Sequence, residues 1–249
     1  MTLDDVIAAL ALPSESRVDQ RVPKKLLLEN GAPTAADKRH INEGVEELFW
    51  IAALKPNTIG VPEYRDENCD YLEIAVLALT LRPEAKAVRL VELVHRAIPY
   101  PVFLIIVQDD RIAIALARKR LAQNEAGRVV LDEAIITTTL EPHRFTADWL
   151  LGLALAAQPR TELRALYHGW IALVEAHQAA LITGQLVTPT NTAAQDARRQ
   201  ALADHATLHR EIAALRARAQ KEKQVSRRVE LNLQIKRLET RLEEAMTNL

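Results

Sequence analysis

Few residues in this chain have the types and spacing that do chemistry. Asp70 followed by Glu84-Ala85-Lys86 has the composition of a restriction-type nuclease centre, in which two carboxylates hold a divalent cation and a lysine stands beside the scissile phosphate. In that chemistry the Glu-x-Lys triplet belongs on a strand, whereas Glu84 and Lys86 follow Pro83 at a predicted helix start, where the helix dipole already accounts for an acid. Asp70 with Glu73 is the remaining acidic pair for a metal-dependent nuclease. His205 and His209 stand four apart on a predicted helix, the spacing that lets two imidazoles reach one metal, but Ala206 occupies the position where a zinc peptidase carries its glutamate. Asp109-Asp110 reads as a turn, and Cys69 lies among acids that raise a thiol pKa. From these patterns no catalytic residue, metal ligand or cofactor site is assigned. The segment His95-Arg96-Ala97-Ile98-Pro99-Tyr100-Pro101 places a tyrosine between two prolines, which fixes an extended entry into the next strand and makes Arg96 and Tyr100 candidate recognition residues.

The elements that must position these residues follow from composition and period. With 49% hydrophobic residues the chain buries a core, and one cysteine cannot close an internal disulfide. Thirty-two basic against 33 acidic residues give a net charge of -1, so any attraction to phosphates must be local. None of the seven glycines forms a GxGxxG or P-loop array, and no apolar run is long enough to span a bilayer. The acidic start, MTLDDV, lacks the basic region of a secretory signal, so a cytoplasmic protein is expected.

Thr34 and Asp37 form a helix N-cap box, and the spacing of Ile41, Val45, Leu48, Phe49 and Ala52 predicts a helix over 36–54. The nearly continuous apolar run over 71–81 predicts a strand covered on both faces. A helix follows from Pro83-Glu84 to Ile98, its last turn carrying His95 where a cation would favour the negative pole. Strands at 101–107 and 112–118 form a hairpin across Gln108–Arg111, and a further strand is expected over 129–140 after a turn at Asn124–Gly127. This is an α+β domain over 1–141, a mixed β-sheet with packed helices. A helical extension over 142–187 contains a helix from Thr161 to Thr183 that Gly184 ends. A polar linker over 188–196 leads to a coiled-coil tail over 197–249.

Two seams run through the tail: Leu208, Ile212, Leu215 and Ala219, then Ile235, Leu238, Leu242, Ala245 and Leu249. They do not share a register, so a break falls at 220–228. A hairpin and one long helix both fit, and the lack of Gly and Pro over 197–249 favours the long helix. The tail holds 12 basic and 7 acidic residues, a net +5, leaving the remainder at -6. Arg216, Arg218, Lys221, Lys223, Arg227 and Arg228 crowd the break, a candidate strip for phosphates or an acidic partner.

The phrases PKKLLLEN (23–30), LKPNTIGVP (54–62), YLEIAVLAL (71–79), HRAIPYPVFLI (95–105) and KEKQVSRRVELN (221–232) together resemble a bacterial and archaeal family known only as domain of unknown function four-three-nine-one. The resemblance spans nearly the whole chain and supplies no catalytic residue. It implies company with a helicase or a site-specific DNA methyltransferase in phage-defence or restriction-modification assemblies. The expected function is therefore a non-catalytic accessory subunit that docks on such a protein partner, with self-association through the coiled coil as a further expectation. A divergent metal-dependent nuclease and a direct nucleic-acid-binding module are the alternatives.

Overall fold

The apolar run expected as a strand over 71–81 can satisfy its backbone only between two neighbouring strands, and it does so over Ile74–Leu81 at the centre of a mixed sheet, while Tyr71 belongs to a separate short strand. The computed structural model describes residues 1–123, 129–141, 146–189, 191–247 and 249. In chain order the elements are α1 (Leu3–Ala9), β1 (Arg17–Arg21), α2 (Lys24–Asn30), α3 (Ala35–Gly44), β2 (Val45–Leu54), α4 (Pro56–Ile59), β3 (Tyr64–Arg65), β4 (Asp70–Tyr71), β5 (Ile74–Leu81) and α5 (Ala87–Ala97). Then come β6 (Val102–Gln108), β7 (Arg111–Leu116), β8 (Lys119–Leu121), β9 (Val129–Leu131), β10 (Ile136–Leu140), α6 (Thr146–Gly152), α7 (Leu163–Thr183), α8 (Thr192–Lys221) and α9 (Val225–Met246). The fold is α+β. The six-stranded sheet has the order β1-β2-β5-β6-β7-β10, and β3-β4 and β8-β9 form two small ribbons. Only β5 and β6 are parallel, and α5 is the crossover that parallel neighbours require.

Contacts divide the chain into Met1–Val174 and Glu175–Leu249. In the first unit one face of the sheet carries Leu77, Leu79, Leu104 and Ile106 and is covered by Leu27 of α2, Ile41 of α3 and Leu90, Leu93 and Val94 of α5. A Cβ on Gly31 would stand 2.7 Å from the Leu93 carbonyl, so only glycine lets the end of α2 approach α5 this closely. The first half of α7 lies on the opposite face, where the Trp170 ring meets Phe103 edge-on at 5.0 Å. There Tyr167 donates its hydroxyl hydrogen to the Val102 carbonyl at 2.9 Å and accepts the Ala117 N–H at 3.0 Å, tying the helix to two strands.

The helix expected over 36–54 is corrected: it stops at Gly44, and 45–54 is strand β2, paired with both β1 and β5. Val45, Leu48, Phe49 and Ala52 satisfy a 3.6-residue period, but Val45, Phe49, Trp50 and Ile51 are β-branched or aromatic, and pairing on both sides decides in favour of the strand. The expected hairpin forms with Gln108 opposite Arg111. Asp109 at its tip has φ 53°, a conformation that Asn and Asp tolerate best after glycine. The strand expected over 129–140 is two strands, β9 and β10, and the predicted Asn124–Gly127 turn lies outside the described residues. α7 ends at Thr183, followed by Gly184 at φ 76°.

In the second unit α8 and α9 form an antiparallel hairpin, which corrects the preference for one long helix. Arg198 near the start of α8 donates from Nε to the Leu249 main-chain oxygen at 3.1 Å, and Arg216 pairs with Glu239 at 2.7 Å. Ile212, Ala219 and Ile235 are buried between the helices, with Leu215, Leu231, Leu238 and Leu242 partly buried around them. Glu222 and Gln224 are extended with negative φ, so the reversal needs no glycine. Burying the two seams on each other is what the reversal gains.

Candidate functional site

The hairpin tip gathers the predicted basic residues. The 13 residues from Arg216 to Arg228 hold six cations and one acid, Glu222. Arg216 is held by Glu239, and Glu222 accepts the Gln224 N–H at 2.8 Å. Among the described residues, Arg218, Lys221, Lys223, Arg227 and Arg228 have no ion pair. The register break that marked this region in the sequence is the turn itself, and the cations concentrate around it because neither seam buries side chains there.

Sequence patterning missed a second feature of the tip. Val225, Val229 and Leu233 are exposed at 64%, 52% and 54%. They step by four along α9, so they lie within about 80° of one another and about 150° from the buried seam, at 100° per residue. The signal was the i, i+4, i+8 spacing, hidden because the seam search absorbed the apolar residues of this helix. α9 is therefore apolar on two faces, one packed on α8 and one open.

In the first unit the other candidates separate. Arg96 is exposed and donates to Glu92 at 2.8 Å, while Tyr100 contributes a backbone carbonyl that accepts from Lys119 Nζ at 2.6 Å. Lys119 also donates to the Ile98 carbonyl, so its ammonium clamps the Ile98–Pro101 segment from inside. Burial lowers its pKa to about 7. Sequence reading missed this lysine because a charged residue in a three-residue strand carries no sign of burial. His95, expected to serve the helix's negative pole as a cation, does not: it is buried, both ring nitrogens lack a hydrogen bond, and desolvation with Lys119 nearby lowers its pKa to about 3. It is neutral at pH 7.

Asp37, expected as a capping residue, accepts a hydrogen bond from the Thr34 hydroxyl and is also gripped by Arg89 at 2.8 and 2.9 Å. The hydrogen bonds from Arg89 and Thr34 hold its carboxyl well below the usual range. Around β3-β4, Asp66 accepts the Tyr64 hydroxyl at 2.8 Å and the Asn68 and Cys69 N–H groups, which lowers its pKa to about 2. Arg164 of α7 donates to the Tyr64 oxygen at 2.6 Å. Burial first, then Asp66, raises the Cys69 thiol to about 11, so it is not a ready nucleophile.

Asp70 is paired in register with Arg65, Glu73 is buried against Lys55 at 3.0 Å, and Glu84 and Lys86 lie in the turn before α5. The His205 and His209 rings stack with centroids 6.1 Å apart. Among the described residues no three His, Cys, Asp or Glu side chains gather where they could hold a metal ion. None of the described helices is long and apolar enough to cross a membrane.

No curated protein and no solved structure matches the chain. The model of one family does, over residues 10–242, from the end of α1 to the last turns of α9. That span takes in both the sheet and the basic hairpin, and the chain belongs to the family described as Domain of unknown function (DUF4391).

Proposed function

We propose that this protein is an accessory subunit that docks on a larger protein through the α8–α9 hairpin tip, the partner contributing an acidic amphipathic helix. One observation carries the reading: the Val225, Val229 and Leu233 stripe is open to solvent on the same hairpin end as five cations without counter-ions. An acidic amphipathic helix laid on α9 covers the stripe with its apolar side and meets the cations with its carboxylates, the helix-in-groove mode of recognition. Ile212, Leu215, Ala219, Ile235, Leu238 and Leu242 of the two seams pack on one another within the hairpin, which favours a partner on the open stripe over pairing of two copies through the seams. The earlier expectation of a helicase or DNA methyltransferase partner in a defence or restriction-modification assembly fits this reading as its biological setting.

The uncompensated cations favour one second reading, a direct contact with DNA phosphates. Salt separates the two. Binding through about five phosphates falls by about 500-fold between 50 and 200 mM salt, whereas the docking interface weakens far less, because salt screens its exposed ion pairs but leaves the apolar contact on the stripe in place. Titration of a 20-base-pair duplex at both salt concentrations, beside mass measurement of complexes purified from the native host, is the test. A defined partner mass retained at 200 mM salt, with weak duplex binding, supports the docking reading. Tight, salt-steep duplex binding without a stoichiometric protein partner overturns it in favour of DNA.

A further inference from the structure

The helical layer on one face of the sheet stops short of its edge. α2, α3 and α5 cover β2, β5 and β6 and reach Ala115 of β7, but among the described residues no helix lies over the remainder of that face on β7 and β10. What remains is a groove of about 680 Å³, within the range of small-molecule sites. Ile106 and Ala113 with Thr137 and Thr139 of β10 form its floor, Val88 and Val91 of α5 one wall, and Leu131 and Glu133–Ile135, leading from β9 into β10, the other side. Val88 is 86% exposed, a large apolar side chain on an otherwise well-covered helix.

The charges along the rim are not equal. Arg96 is held by Glu92, whose other oxygen accepts from Arg89, and Glu133 accepts from Arg118 at 3.0 Å. Arg111, at the open end beside Gln108, makes no hydrogen bond or ion pair among the described residues, and Asp109 and Asp110 stand on the turn outside the lining. The rim thus leaves one uncompensated cation over an apolar trough. A helix or strand from a partner does not suit it: the trough is walled on two sides, and a strand added to the free edge of β10 would lie in the sheet plane, beside the groove and not in it.

We propose that this groove binds a small apolar monocarboxylate, its chain along Val88, Val91, Ile106 and Ala113 and its carboxylate on the Arg111 guanidinium. A bidentate guanidinium–carboxylate pair supplies orientation, and the trough supplies burial. The groove is built within Met1–Val174, and its test does not depend on the docking reading.

The test is calorimetric titration of the full-length chain with decanoate and with decyltrimethylammonium, both below their micelle concentrations. One saturable site per chain with decanoate at least about fivefold tighter is expected, as a charge-assisted hydrogen bond provides. Arg111→Ala should remove that preference, and Ala113→Leu, which fills the floor, should weaken both ligands. If Ala113→Leu does not fold, Val88→Asp at the exposed rim takes its place and should weaken decanoate most. Lack of a saturable site, equal binding of the two ligands by the native chain, a preference that survives Arg111→Ala, or indifference to the groove substitutions would each overturn the proposal.

Discussion

The sheet unit and the hairpin unit use charge in opposite ways. In the sheet unit the buried or half-buried ionic groups are answered: Asp37 by Arg89 and Thr34, Glu73 by Lys55, Lys119 by two carbonyls, Asp66 by Tyr64 and two N–H groups. The hairpin buries a small set of apolar side chains, Ile212, Ala219 and Ile235 between its helices and Ala201 and Leu208 further along α8, and leaves five cations and three apolar side chains open at its tip. Paired buried charges rigidify a body, whereas a thin core with unanswered charge is a surface that gains by being covered. The hairpin tip is therefore the surface whose exposed groups most need a partner.

The comparison predicts different costs of core truncation. Trp170→Ala removes a fully buried indole that packs on Phe103 and donates to the Leu153 carbonyl, and should destabilise the sheet unit by about 3–5 kcal/mol in urea unfolding followed by tryptophan fluorescence. Ile212→Ala should cost about 2–3 kcal/mol and open the hairpin while leaving the sheet folded. Hydrogen exchange distinguishes the two: amides of α8 and α9 should lose protection in Ile212→Ala while those of β5 and β6 keep it. Equal loss of protection in both units would show that the division is not energetic.

Titration provides the next effect in size. His95 is buried neutral with a folded pKa of about 3, below its unfolded value near 6.5. The unfolded chain therefore binds the extra proton between these values, and stability should fall as pH drops from about 6.5 towards 3. Asp37, with its pKa depressed, adds stability above the usual carboxylate range that is lost on further acidification. Lys119 acts at the other end: its folded pKa of about 7 lies below the unfolded 10.5, so stability should rise as pH climbs between them. Thermal unfolding from pH 4 to pH 10 should show these slopes, with His95→Leu flattening the acid side and Lys119→Met the alkaline side. Smallest of all, Val229→Asp with Leu233→Asp should change stability by less than about 0.5 kcal/mol per site, because both side chains are open.

Much of this comparison was legible in the residues. The run over 71–81, the Gln108–Arg111 hairpin, and the helix ending before Gly184 each carry a local signal that tertiary packing does not override. β2 was not legible, because Val45, Leu48 and Ala52 keep helical spacing, register shifts at Val45–Glu47 and Trp50–Ala52 break the two-residue alternation, and the choice depends on strands β1 and β5 elsewhere in the sequence. The break at 220–228 was legible, but the reversal there was not, because extended residues with negative φ need no marker residue. Of the tip, the cations were visible as composition, but the open stripe was not: whether Val225, Val229 and Leu233 face α8 or solvent is settled only by how the seams pair. Asp37 with Arg89, and Lys119 with the Ile98 and Tyr100 carbonyls, join positions 52, 21 and 19 residues apart, and pairings at such range leave no local pattern.

If the open stripe and free cations of the hairpin tip form a protein-docking surface, the native chain purified from its host at 200 mM salt should carry a stoichiometric partner, seen in the intact mass of the complex. The Val229→Asp, Leu233→Asp chain purified in the same way should lose that partner with its unfolding temperature unchanged. The same partner retained on both chains would show that the tip is not where it docks.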